Sequence, residues 1–123
     1  MRFLCMIRLN ENTSQVPSDQ LERDMGTLLD EMTGEGVLIH TAALRPTSRG
    51  VRVRLRAGEV SVLDGPFVET NEVVGGFIIL ETETLQDAIR QTKRFLRIHR
   101  DEWDLDCELR PFVGPEFGVA AKP

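Results

Sequence analysis

The sequence predicts an α+β fold in which two helices pack on one face of an antiparallel sheet. Once one hairpin is set aside, its periodic segments follow the order strand, helix, strand, strand, helix, strand. The first and third main strands are central in that order, and they are also the two segments that are apolar on both faces, residues 3–9 and 77–80. This agreement favours a ferredoxin-like βαββαβ sandwich with an inserted β-hairpin.

The first strand and the first helix have clear sequence signals. Residues 2–9 alternate between two apolar faces, which predicts a strand covered on both sides. Ser18 or Asp19 can cap the helix that follows, and Gly34 and Gly36 can end it. The apolar side chains of this helix recur with helical periodicity along one stripe: Leu21, Met25, Leu28, Leu29 and Met32.

A second strand and a hairpin come next. Residues 37–44 predict a strand that ends before Arg45 and Pro46. In GVRVRLRAGEVSVLD, apolar residues alternate with arginines and Gly58 lies at the turn, so this stretch predicts a hairpin. The alternating arginines are Arg52, Arg54 and Arg56.

The last three main elements complete the order. Residues 76–81 predict a strand, and a second helix begins near Thr84 and ends in a cluster of cations that its dipole favours. Residues 107–113 predict the final strand. We therefore expect one domain over residues 1–113 and a tail of Gly, Pro and Ala over residues 114–123.

The composition indicates a globular protein with an acidic surface. A net charge of −5 argues against a polyanionic partner, and no aromatic residues interleave the hairpin arginines, so we expect no direct nucleic-acid binding. No apolar run is long enough for a membrane span or a signal peptide, which predicts a cytoplasmic protein without membrane contact. The two cysteines and two histidines are scattered, so we expect neither a metal site nor a cofactor.

The sequence also predicts a homodimer. Two helices can cover only one face of the sheet, and the other face is apolar as well. A second copy of the chain is the simplest cover for that face.

The stretch between the hairpin and the third main strand carries the candidate site. An Asx-turn at Asp64 would need an amide at position 66, but Pro66 has none, so the carboxylate is left to accept from Phe67 or to serve a pocket. Loop carboxylates of this kind can act as general bases or ligand anchors. Gly75 and Gly76 open a strand, which indicates either a bulge or a close approach of backbone or ligand.

DGPFVETNEVVGGFIILE, residues 64–81, resembles the signature of the DGPF branch of the YCII-related family, whose usual pattern is DGPF-x-E-T-K-E, then G-G-F or G-G-Y and a strand. The resemblance extends from the first strand to about residue 113. It implies the dimeric α+β barrel fold and a homodimer, in a superfamily of isomerases, cyclases, oxygenases and lyases that work between sheet and helices. Many DGPF proteins are encoded with, or fused to, sigma factors, which implies a sigma-factor association.

Two departures limit what the resemblance implies. Asn71 stands where the pattern has lysine, which removes the cation expected there. The YCII branch uses a His and Asp pair with the histidine in the first helix, and the first helix of this chain has no histidine.

Two functional hypotheses follow. The first is a small-molecule pocket closed by the DGPF loop, in a lyase-, isomerase- or cyclase-type enzyme whose proton acceptor is Asp64. The second is a non-catalytic sensing or interaction module linked to sigma-factor-dependent transcription, so whether the chain is an enzyme stays open. The residues predicted to contact a ligand are Asp64, Phe67, Glu69, Glu72, Gly75, Gly76, Arg45 and His40.

Overall fold

The main sheet contains the four predicted strands in the predicted arrangement. The structure is a computed structural model that describes residues 1–13, 16–67 and 72–113. The tail predicted for residues 114–123 lies outside these ranges. The elements are β1 (Arg2–Leu9), α1 (Asp19–Gly34), β2 (Leu38–Ala43), a 3-10 turn (Thr47–Arg49), β3 (Val51–Arg56), β4 (Glu59–Asp64), β5 (Val73–Glu81), α2 (Leu85–Arg97) and β6 (Asp106–Phe112).

The strand order confirms the fold class. The sheet runs β2-β5-β1-β6, so the two strands predicted to be central are central, and all of its pairings are antiparallel. β3 and β4 form a separate two-stranded hairpin. The chain therefore has the ferredoxin-like order with one inserted hairpin.

The core lies between the helices and one face of the sheet. Alternate residues of β1 and β5 point toward the helices, because successive side chains of a strand lie on opposite faces. The buried cluster that results consists of Phe3, Cys5, Leu28, Met32, Ile78, Leu80, Ala88 and Phe95. Met32 and Phe95 bring the two helices onto the same patch of sheet.

Hydroxyl side chains cap both helices at their starts. Ser18 Oγ accepts a hydrogen bond from the Leu21 amide at 3.1 Å, and Thr84 Oγ1 accepts one from the Asp87 amide at 3.1 Å. Each bond satisfies an amide that has no partner inside its helix. Neither described helix is long and apolar enough to cross a bilayer.

β5 begins three residues before its predicted start because a bulge lets pairing continue. Ile7 pairs with Gly76 and Arg8 with Val74, so Gly75 is the extra residue. A Cβ on Gly75 would lie 2.4 Å from Leu9 Cδ2, and one on Gly76 would lie 2.9 Å from the Ala42 carbonyl oxygen. Both explanations offered by the sequence, a bulge and a close backbone approach, are therefore confirmed.

The other face of the main sheet is apolar at its centre. Leu4 pairs with Ile79 and Met6 with Phe77, and these four side chains point away from the buried cluster. Each is only half-buried. Neither helix covers this surface, which we call the open face.

The hairpin has one exposed apolar face. Its turn places Ala57 and Gly58 at φ of 50° and 81°, the left-handed conformation that two-residue hairpin turns require. Five apolar side chains of β3 and β4 are 56–71% exposed: Val51, Val53, Leu55, Val60 and Val62. The opposite face carries Arg52 and Arg54, which are half-buried.

Candidate functional site

Residues 64–67, which we call the DGPF turn, pack directly against the 3-10 turn at Thr47–Arg49. The Gly65 amide donates to the Gly50 carbonyl at 3.0 Å, and the Phe67 amide donates to Thr47 Oγ1 at 3.2 Å. A Cβ at position 65 would lie 1.7 Å from the Thr47 carbonyl oxygen, so only glycine fits there. The glycine of the signature is thus explained by the contact between two backbones.

Glu11 holds the other side of this contact. Its Oε1 accepts from the Thr47 amide at 2.9 Å, and its Oε2 accepts from the Thr47 hydroxyl. That hydroxyl donates to Glu11 and accepts from Phe67, so it bridges the segment after β1 and the DGPF turn. This role of Glu11 could not be predicted from a local pattern, because the two partners are 36 positions apart in the chain.

A cleft of about 580 Å³ lies beside this contact. Four arginines line it, and we call it the arginine cleft: Arg8, Arg45, Arg49 and Arg52. Phe67 and Glu72 also line it, together with the apolar side chains of Leu44, Val73 and Val74. This one site is built by four parts of the chain: β1, β3, the DGPF turn, and the segment that follows β2.

The cleft is cationic in a chain that is acidic overall. Its described lining residues include four arginines and one carboxylate, that of Glu72, whereas the whole chain carries a net charge of −5. Arg8 makes a long ion pair with Glu108 at 4.0 Å. Within the described ranges, Arg45 and Arg49 make no ion pair, so their charge is open to a ligand.

Arg52 is held by an aromatic ring. Its guanidinium carbon lies 3.9 Å from the centre of the Phe67 ring, which is a cation–π contact. The amide of Phe67 is itself fixed by Thr47. The DGPF turn therefore positions one wall of the arginine cleft through its phenylalanine.

This arrangement suits a small anion. A guanidinium presents paired N–H donors that match the two oxygens of a carboxylate or phosphate. The cleft volume falls within the range of small-molecule sites, and its apolar wall can accept the uncharged part of a ligand.

The structure brings together only some of the predicted ligand residues. Arg45, Phe67 and Glu72 all line the arginine cleft. Asp64 does not line it: this residue is exposed at the end of β4, opposite Val51. The Asp64 side chain makes no hydrogen bond or ion pair with any described residue, and the Phe67 amide donates to Thr47 Oγ1 instead.

The remaining predicted residues lie elsewhere. His40 is exposed on the open face, with its ring centre 5.7 Å from that of Phe77. Gly75 and Gly76 serve the bulge and the close packing of strands, and neither lines the cleft. Glu69, with Asn71, lies outside the described residues.

Arg8, Arg49 and Arg52 were not among the residues predicted to contact a ligand, and Arg52 was considered only for nucleic-acid binding, which we did not expect. The available signal was the segment RPTSR, in which two arginines lie four positions apart on either side of a turn. Among described residues, no three side chains of the His, Cys, Asp or Glu type come together as metal ligands.

The comparisons with known proteins agree with the family resemblance of the signature. The family model of the YCII-related domain matches residues 1–98, a range that includes every residue of the arginine cleft. An uncharacterised protein of Rhizobium meliloti is 33% identical over 76 residues. That alignment spans 62% of this chain and 61% of the relative, so the match covers about three fifths of each protein.

Proposed function

The chain belongs to the YCII-related domain family, and we propose that it is a homodimeric protein that binds a small carboxylate or phosphate in the arginine cleft. The observation that carries this proposal is the gathering of four arginines around a single cleft. An acidic chain that concentrates cations at one place favours an anionic ligand there.

Thermal unfolding in the presence of inorganic phosphate, succinate and glucose tests the proposal. A ligand that binds the folded state raises the melting temperature, so we expect phosphate or succinate to do so and neutral glucose not to. The comparison of the two anions shows which anionic group the cleft prefers.

Two arginine variants locate the binding. Arg45→Gln removes a cation from the cleft, and the loss of one charged hydrogen bond should weaken binding about tenfold or more. Arg54→Gln is the matched control, because Arg54 lies on the same face of the hairpin as Arg52 but does not line the cleft. The proposal fails if neither anion stabilises the wild type, or if both variants weaken binding equally.

The homodimer is proposed to form through the open face. Leu4, Met6, Phe77 and Ile79 present an apolar centre that neither helix covers, and contiguous apolar surface of this kind favours association. Light scattering should give a dimer for the wild type and a monomer for Ile79→Asp. Val53→Asp on the exposed hairpin face is the control, and a dimer that survives Ile79→Asp but not Val53→Asp would contradict the proposed interface.

Catalysis is a separate prediction, and the binding proposal does not depend on it. Among the described residues, Glu72 is the carboxylate that lines the cleft, and Asp64 lies outside its lining. Asp64→Asn should therefore leave anion binding unchanged, whereas Glu72→Gln should alter it. A loss of binding in Asp64→Asn would instead support the role predicted for that residue from the sequence.

An interaction module is the second candidate function, and the hairpin favours it. Five side chains on one face are more than half exposed, which is unusual for Val and Leu in a soluble domain. Such a face would suit the sigma-factor association implied by the family resemblance. A two-hybrid assay against a sigma factor of the same organism should give a signal for the wild type that Val53→Asp removes and Arg45→Gln keeps.

A further inference from the structure

The arginine cleft lies on the same side of the main sheet as the open face. Neighbouring residues of β1 mark the two sides, because Ile7 packs against the buried cluster whereas Arg8 lines the cleft. Glu108 is the strand partner of Met6 and makes the 4.0 Å ion pair with Arg8, so both charged side chains lie on the face that carries Met6. The cleft is therefore at one end of the open face, and the helices lie on the opposite side of the sheet.

Apolar side chains join the cleft to the centre of the open face. Val74 is the strand partner of Arg8 and is 38% exposed, and Leu44, which also lines the cleft, is 49% exposed. Met6 lies two residues from Arg8 along β1, a distance of about 7 Å at the rise of a strand. The apolar surface thus continues from the centre of the open face to the cleft.

The size of the open face determines how much of it a second copy must cover. Four strands about 4.8 Å apart, and 8 residues of β1 rising about 3.4 Å each, give this face an outline of roughly 19 by 27 Å. A stable dimer interface buries about 800 Å² of accessible surface on each partner, far more than the four central apolar side chains provide. A copy that associates through the open face therefore covers its whole length, including the end where Arg8 lies.

The charge of the cleft links that association to an anion. A covering protomer removes water from the mouth of the cleft, and Arg45 and Arg49 make no ion pair within the described ranges. Taking an unpaired cation out of water is unfavourable, and a bound anion offsets this cost. The exclusion of water in turn strengthens the attraction between the anion and the guanidinium groups.

We propose that a second copy of the chain forms the outer wall of the arginine cleft, so that each anion is enclosed between two protomers. This inference rests on the proposed anion binding and on the proposed open-face dimer, and it adds that each strengthens the other. Coupling of this kind is reciprocal, so the anion stabilises the dimer to the extent that the dimer tightens anion binding. A two-fold symmetric dimer encloses two such clefts.

Sedimentation equilibrium over a dilution series, with and without saturating inorganic phosphate at matched ionic strength, measures the coupling. If closure tightens each cleft about tenfold, within the usual range of about 5–150-fold, two clefts lower the dissociation constant of the dimer about a hundredfold. Phe77→Ala trims the open face without adding charge, and it brings a very tight dimer into the measurable range. Arg45→Gln should still form the dimer, but its dissociation constant should respond much less to phosphate.

The phosphate affinity of a monomer provides the reciprocal measurement. Ile79→Asp should be monomeric and bind phosphate about tenfold more weakly than the wild type. Val53→Asp adds the same charge outside the cleft lining and should keep the wild-type affinity.

The outcomes separate this inference from the proposed function. If phosphate raises the melting temperature of the wild type but leaves the dissociation constant of the dimer unchanged, the second copy is not a wall of the site, and anion binding still stands. A monomeric Ile79→Asp that binds phosphate as tightly as the wild type, or a wild type that stays monomeric with phosphate bound, would overturn the inference in the same way. If phosphate does not bind the wild type at all, the inference and the proposed function both fail.

Discussion

Gly65→Ala tests the contact that builds the arginine cleft. A Cβ at this position would lie 1.7 Å from the Thr47 carbonyl oxygen and 2.7 Å from its carbonyl carbon, so two backbones must separate. The separation breaks the bonds from the Gly65 amide to Gly50 and from the Phe67 amide to Thr47. Each such bond contributes roughly 0.5–1.5 kcal/mol to the free energy of unfolding.

The expected net effect is moderate and can be measured. Alanine restricts the unfolded chain more than glycine does, which offsets roughly 0.4–1 kcal/mol of the loss. We therefore expect Gly65→Ala to lower the free energy of unfolding by about 1–2 kcal/mol, which corresponds to about 5 °C in melting temperature. Because Phe67 moves with the turn, the stabilisation by phosphate or succinate should decrease as well.

Gly50→Ala provides the matched control within the same contact. A Cβ at Gly50 would lie 3.6 Å from the Thr47 carbonyl oxygen, an ordinary van der Waals distance. Urea unfolding should therefore show Gly50→Ala close to the wild type and Gly65→Ala clearly weaker. Equal stability of Gly65→Ala and wild type, with unchanged anion binding, would refute the argument from close approach.

Three further predictions follow from other parts of the molecule. Gly26 lies inside α1, and a Cβ at this position would meet open space. Gly26→Ala should therefore raise the free energy of unfolding by about 0.8–1 kcal/mol. A loss of stability in urea unfolding would contradict this. A hydrogen bond to Cys5 and burial raise the pKa of the Cys107 thiol, so a thiol reagent at pH 8 should label Cys107 slowly in the native chain and quickly in the urea-unfolded chain; equal rates at Cys107 would contradict this. The hydrogen bond from Arg94 lowers the pKa of the Glu35 carboxyl, so the pair stabilises the fold at neutral pH and this contribution is lost as the pH falls through the lowered pKa. Glu35→Gln should thus be less stable than wild type at pH 7 and equally stable in acid below that pKa, whereas a difference that persists in acid would contradict the assignment.

Much of the fold could be predicted from the sequence because local patterns determine it. The alternation in residues 2–9 and the helical stripe from Leu21 to Met32 each report which face is buried. Gly58 predicted the hairpin turn. The two strands that are apolar on both faces were predicted to be central in the sheet, and they are. The predicted start of β5 was wrong by three residues, because the bulge at Gly75 depends on pairing with the neighbouring strand.

The site was harder to predict because it depends on contacts between distant segments. Phe67 and Glu72 were predicted from a local signature. Arg8 has no such signal, and Arg49 has only the short segment RPTSR. These residues lie close together because the DGPF turn packs on Thr47. Glu11, in the segment after β1, binds the same threonine. Asp64 was predicted to contact a ligand because it lies before a glycine and a proline. The charged wall of the cleft is formed by arginines instead.

A phosphate titration followed by the arginine side-chain Nε–H resonances tests the central claim most directly. The account predicts saturable shifts for Arg45, Arg49 and Arg52, which line the cleft, and none for Arg54. It also predicts that the shifts weaken as sodium chloride is added, because salt screens the attraction. Shifts distributed equally over Arg54 and the cleft arginines, or an absence of shifts at Arg45 and Arg49, would contradict it.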